Sequence, residues 1–127
     1  MAGERKVGGF TLIELLVVMA IIATLLTIAA PRYFSHLARV KEAVLRADLR
    51  EMRDAVDKFH GDTGKYPAAL EELIGRKYLR KIPPDPLTES AATWVIFPPE
   101  DREQGGVYDV RSGAVGVGSD GTLYTEW

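Results

Sequence analysis

The 127-residue sequence predicts an α+β fold, with one long N-terminal helix packed on a small antiparallel β-sheet. The first half of that helix is expected to insert in a membrane and the second half to be amphipathic. Three observations lead there. From Phe10 to Ala30 every residue is apolar except Thr11, Glu14, Thr24 and Thr27. From Arg32 to His60 no glycine or proline interrupts a helical spacing of apolar side chains. Beyond residue 90, short runs rich in β-branched and aromatic residues alternate with glycine and proline. Whole-chain averages hide this division: the formal net charge is −2 and the mean hydropathy −0.04. The 96 residues after Pro31 nevertheless carry 30 of the 34 charged side chains.

Phe10–Ala30 is 21 residues, and at about 1.5 Å per residue it spans roughly 30 Å, the thickness of a bilayer's hydrocarbon core. Thr11, Thr24 and Thr27 can return their hydroxyls to backbone carbonyls, so they are compatible with a membrane helix. Pro31 follows and is expected to kink or loosen the helix. The alternative, a fully buried core helix, would need more surrounding chain than 96 residues supply. Ahead of the apolar segment lies MAGERKVGG, a polar leader with Arg5 and Lys6 and a closing glycine pair. An ordinary secretory signal is cut after its apolar region; here the small residues precede it, so a cut would leave the helix attached. Charge does not decide orientation, because Arg5 and Lys6 on one flank face Arg32, Arg39 and Lys41 on the other. Glu14 is the one charge inside the segment, costly at a bilayer centre and less so near an end. A cut after Gly9 would free the amine of Phe10 about one turn away, and a neighbouring subunit's amine would suit Glu14 as partner. A carboxylate that snorkels to the interface is the alternative.

In the second half of the helix, Leu45, Leu49, Met52, Val56 and Phe59 recur at spacings of 4, 3, 4 and 3 and form a core-facing row. Leu37, Val40, Val44 and Ala47 form another, read as a subunit-contact surface or as a wider core face. Lys41, Arg46, Asp48, Arg50, Glu51, Arg53 and Asp54 alternate in sign, the pattern of a solvated face rather than a nucleic-acid stripe. Both halves together make about 50 residues and roughly 75 Å of helix. A chain of this size cannot bury that length, so lipid or other copies must cover it. Gly61-Asp62-Thr63-Gly64 is expected to end the helix. Ala68–Ile74 is expected to form a short helix stopped by Gly75, followed by the extended Ile82-Pro83-Pro84-Asp85-Pro86. Trp94–Phe97 reads as a buried strand closed by Pro98-Pro99, Val107–Arg111 as a half-buried strand, and Leu123–Thr125 as a third strand.

The residues Gly9-Phe10-Thr11-Leu12-Ile13-Glu14-Leu15 resemble the prepilin signature of type IV pilins and type II secretion pseudopilins. The resemblance narrows at Gly61-Asp62-Thr63-Gly64-Lys65-Tyr66-Pro67, Leu70-Glu71-Glu72-Leu73, Tyr78–Pro86, Gly106–Val110 and Ser119-Asp120-Gly121-Thr122, which look like G-type, major pseudopilins. It implies a pilin-like fold with three parts: a leader over 1–9, a transmembrane and assembly helix over 10–31, and a periplasmic domain over 32–127. It implies that prepilin peptidase cuts between Gly9 and Phe10 and N-methylates Phe10. It further implies that Glu14 neutralises a neighbour's N-terminus during assembly and that Pro31 marks where the helix loosens. Localisation would be the bacterial inner membrane, single-pass, and then a periplasmic pseudopilus. Partners would be further copies in a helical filament, minor pseudopilins, prepilin peptidase, the inner-membrane assembly platform and, before assembly, membrane lipid. Many members bind calcium through a longer acidic C-terminal loop. Here Asp109, Ser119 and Asp120, with nearby carbonyls, are the candidate oxygen ligands, fewer than the six to eight that calcium takes; a turn at Asp120-Gly121 is the alternative.

Other chemistry finds little support. The chain has no cysteine, which excludes disulfides and thiolate chemistry. No phosphate-binding loop, nucleophile elbow or zinc-protease signature occurs. His36 and His60, 24 residues apart on one predicted helix, cannot share a metal. No enzyme activity and no nucleic-acid partner is expected. The rival reading is a type IV pilus subunit for adhesion, motility or DNA uptake.

Overall fold

A computed structural model describes residues 8–127; most of the expected leader, with Arg5 and Lys6, lies outside the described residues. Among the described residues two α-helices are present, α1 over Leu12–Thr63 and α2 over Leu70–Gly75. The strands β1 (Val95–Phe97) and β2 (Asp109–Arg111) pair antiparallel with Ile96 opposite Val110. Single 3-10 turns cover Arg102–Gln104 and Tyr124–Glu126. This is the α+β architecture expected, a long N-terminal helix with a small antiparallel sheet. The described residues divide into two compact units, 8–37 and Ala38–Trp127.

In the first unit the apolar side chains from Leu12 to Ile28 are exposed, and the most apolar 18-residue window of α1 has no buried residue. The helix is therefore not the buried core helix weighed as an alternative. It runs on through Pro31, whose missing N–H withdraws one backbone bond without ending the helix. Thr24 and Thr27 donate their hydroxyls to Ala20 O and Ala23 O, each at 2.8 Å, which satisfies them without solvent.

In the second unit, Leu45, Leu49, Met52, Val56 and Phe59 are all buried, and the row meets Leu70 and Leu73 of α2, Leu79, Trp94, Val107 and Val110. The other row, Val40, Val44 and Ala47, is exposed. Hence it is no part of a wider core face. The helix runs three residues past His60: Thr63 Oγ1 returns to Phe59 O at 2.8 Å, and Gly64, at φ +75°, donates to His60 O. That left-handed residue is where glycine avoids the Cβ clash.

Four local expectations need correction. Gly75 does not stop α2; Lys77 does, at φ 65°, with Tyr78 N–H closing back on Leu73 O at 2.8 Å. The strand at Val95–Phe97 is exposed along its length, and only Trp94 ahead of it is buried, its indole donating to Pro83 O at 2.7 Å. No third strand forms at Leu123–Thr125; a lone bridge joins Val117 to Leu123 before the chain turns. Lastly, Asp85 does more than extend a proline-rich connection. It is fully buried, takes the Ser112 hydroxyl at 2.5 Å and the Leu87 N–H at 2.8 Å, and so ties that connection to the end of β2.

Candidate assembly and processing site

The N-terminal residues singled out from sequence lie on and before the first turn of α1. Thr11 is the residue before the helix, and its Oγ1 accepts the N–H of Glu14 at 3.1 Å. This is the side-chain half of a capping box, Thr-x-x-Glu, which satisfies one otherwise orphaned donor. Thr11 thus caps the helix instead of bonding a preceding carbonyl, as Thr24 and Thr27 do. Glu14 is exposed on the first turn, where a carboxylate is favoured by the helix dipole. Among the described residues no cation lies within ion-pairing distance of it. Phe10 is exposed, and a Cβ added at Gly8 or Gly9 would meet nothing within 4 Å. Nothing described in this fold therefore requires glycine at those two positions. The contrast is Gly113, where a Cβ would lie 2.2 Å from Thr93 O.

The candidate calcium ligands are each taken up elsewhere. Asp109 Oδ1 accepts from Arg53 Nε at 2.9 Å, and Arg111 approaches its other oxygen at 3.7 Å. Asp120 pairs with Arg46 at 2.9 Å and accepts both the N–H and hydroxyl of Thr122. These bonds, Thr122's first and Arg46's after it, hold the Asp120 carboxyl below the usual carboxylate range. Ser119 donates its N–H and hydroxyl to Glu42 at 2.9 and 2.6 Å. Among the described residues no group of three or more acidic, histidine or cysteine side chains is placed to hold a metal. The donor set does not fit calcium: its charges are neutralised by arginines and its hydroxyl faces a carboxylate of α1.

What these residues do instead is close residues 109–127 onto α1. Glu42 is buried and also receives the Tyr124 hydroxyl at 3.0 Å. Ser119's hydroxyl lowers the Glu42 carboxyl most, its N–H and Tyr124 add to this, and burial and Asp120 oppose it. Burial and Glu42 in turn raise the Tyr124 phenol. One turn further along α1, the Arg46 guanidinium stacks over the Trp127 ring at 3.9 Å. Two turns beyond that, Arg53 bonds Asp109, Val110 O at 2.9 Å and Trp127 O. Arg46 and Arg53 therefore do not belong to a purely solvated face.

Residues 5–30 match the family described as prokaryotic N-terminal methylation motif. The chain is similar to the type II secretion system core protein G of Pseudomonas aeruginosa, 31% identical over 99 residues, which are 65% of this chain and 70% of that protein. The chain belongs to the type II secretion core protein G family. The similarity to the Escherichia coli core protein G extends over 99% of this chain and 91% of that one at 26% identity. Type IV major pilin protein PilE1 of Neisseria gonorrhoeae is 43% identical, over 61 residues that make up 46% of this chain and 36% of the pilin. No solved structure matches at comparable stringency. For this core protein G family member, sequence reading missed Glu42, Arg46 and Arg53 as closing residues. Their partners lie 56 to 82 residues away, and no local spacing announces them.

Proposed function

We propose that this protein is a structural subunit of the type II secretion pseudopilus. The first half of α1 anchors it as a single-pass inner-membrane protein, with residues 32–127 in the periplasm. From the membrane it enters a helical filament of like subunits. The observation that carries this reading is the apolar, unburied window of α1 joined to a second unit with its own closed core. Such a helix needs lipid or the helices of other copies around it.

Prepilin peptidase cuts after Gly9 and methylates the new amine of Phe10. The open surroundings of Gly8 and Gly9 support this, since a demand for glycine that the fold does not make points to an outside reader of the backbone. Glu14, exposed and without a described cation, then takes the amine of a neighbouring Phe10 and sets register, while Pro31 gives the helix a place to loosen. Minor pseudopilins and the inner-membrane assembly platform complete the partners. The role is structural rather than catalytic, in line with relatives named as secretion core proteins and pilins. The pilus reading rests on the pilin similarity, which covers less of the chain than the core protein G similarity does.

Overexpression followed by electron microscopy of sheared cell-surface material tests the reading. Filaments containing this chain, lost when Phe10–Ala30 is replaced by a polar sequence, are expected. A protein that stays monomeric in the membrane under those conditions overturns it.

A further inference from the structure

The second unit carries two unlike, unpartnered patches at opposite ends of its length of α1. Near the Thr63 end, a groove of about 570 Å³ is floored by Tyr66, Phe97, Pro98 and Tyr108, with Glu100 and Asp101 on its rim. The floor is aromatic and partly open: Tyr66 and Tyr108 meet edge to face at 5.3 Å, and Tyr108 is 55% exposed. Arg111 stacks over Phe97 at 4.8 Å, and the Asp109 carboxylate beside it is shared with Arg53, so the groove holds one basic group behind its acidic rim. Among the described residues Glu100 and Asp101 have no ion-pair partner, and the loop 100–103 is net acidic despite Arg102.

At the other end, Val40 and Val44 are exposed on α1, flanked by Arg39 and Lys41. No acidic residue occurs between Glu14 and Glu42, and Glu42 is committed to Ser119 and Tyr124. This patch is apolar with a basic edge, the complement of the groove. From Val44 to Thr63 the helix rises roughly 28 Å, too far for the two patches of one copy to meet. Two different patches that complement each other make a head-to-tail contact, and such contacts propagate into open helical filaments when rotation does not close a ring.

We propose that the Phe97–Tyr108 groove of one subunit receives the Arg39–Val44 segment of a second copy, with Arg39 and Lys41 facing Glu100 and Asp101. The inference rests on the filament reading and names the surface that joins the domains within it. Opposite charges at the rim select register, and the valines against the aromatic floor exclude water.

Charge reversal in the full-length protein tests it. Arg39→Glu with Lys41→Glu, or Glu100→Lys with Asp101→Lys, is expected to lower the yield of sheared filaments at least tenfold. Combining all four substitutions is expected to restore it. Because the chain has no cysteine, Val40→Cys with Tyr108→Cys supplies a second readout: an oxidised ladder of multimers, absent from either single variant. Normal filaments from both one-sided reversals, or no rescue and no ladder from the combined variants, overturn the contact. If the unmodified protein forms no filament, it is the filament reading that fails. Loss confined to the helix-side reversal, with no rescue, would place that basic edge against anionic lipid and reject the groove as its partner.

Discussion

Glu42 and Ser119 lie 77 residues apart, and the Glu42 carboxylate takes both the N–H and the hydroxyl of Ser119, at 2.9 and 2.6 Å. This pair fastens the turn at Gly118–Gly121 to the long helix. With Tyr124 it makes one closed donor set around a buried carboxylate, the arrangement that keeps a charge tolerable inside a fold.

Replacing Glu42 with Gln keeps the shape but removes the charge and obliges one of its three donors to face an N–H. A destabilisation of about 2 kcal/mol is expected, the scale of a hydrogen bond to a charged group. Chemical denaturation of the membrane-extracted protein measures it. The wild-type carboxyl is lowered in the folded state, so its contribution is present above the ordinary glutamate range, about pH 4.3. That contribution is lost as pH falls through the lower folded value. Asp48 has the opposite sign: burial first, then Glu51 and Asp85, raise it, and protonating it relieves the fold. Stability measured against pH is expected to lose the Glu42 share of its acid limb in the Gln variant, while the lowered Asp120 keeps its own. An unchanged limb would show that Glu42 does not govern it.

Calcium is expected to leave the melting temperature unchanged. A ligand that binds only the native state raises stability with its concentration, but Asp109 and Asp120 are paired with Arg53 and Arg46. Thermal melts in millimolar calcium and in excess chelator should superimpose; a separation of several degrees would reveal a site that these pairs conceal.

Gly9→Val should block processing without weakening the folded domain, since a side chain there meets nothing described. Intact-mass measurement should find the leader retained and the N-terminal methyl group missing. A matured protein of normal mass would locate the cut elsewhere.

Glu14→Ala should leave membrane insertion intact and reduce sheared filaments to background. Only one helix-terminal charge is lost, worth about 0.3–1 kcal/mol to the helix itself. Thr11 still caps the first turn through its own oxygen. Wild-type filament yield from this variant would remove Glu14 from assembly.

Local physics was legible in the sequence where spacing carries it. The apolar run 10–30 and the 45-49-52-56-59 row follow from helical periodicity, and both appear as read. The short β elements were harder. Val95–Phe97 has the composition of a buried strand, yet only one strand pairs with it and its three side chains stay partly open to solvent. At Leu123–Thr125 three strand-forming residues turn instead, because Glu42 and Arg46 draw Tyr124 and Trp127 toward the helix.

The sequence by itself determined the long apolar helix, the core-facing row that continues it, and the family to which the chain belongs. These depend on residues adjacent along the chain or one turn apart, so their order carries the information. The tertiary structure decided which charges close the fold. Arg46 and Arg53 read as solvated until Asp120, Asp109 and Trp127 are brought beside them, and Asp109 and Asp120 read as calcium ligands until those arginines occupy them. The physical reason is that a carboxylate's role is set by the nearest opposite charge, and here that charge lies more than fifty residues away in sequence.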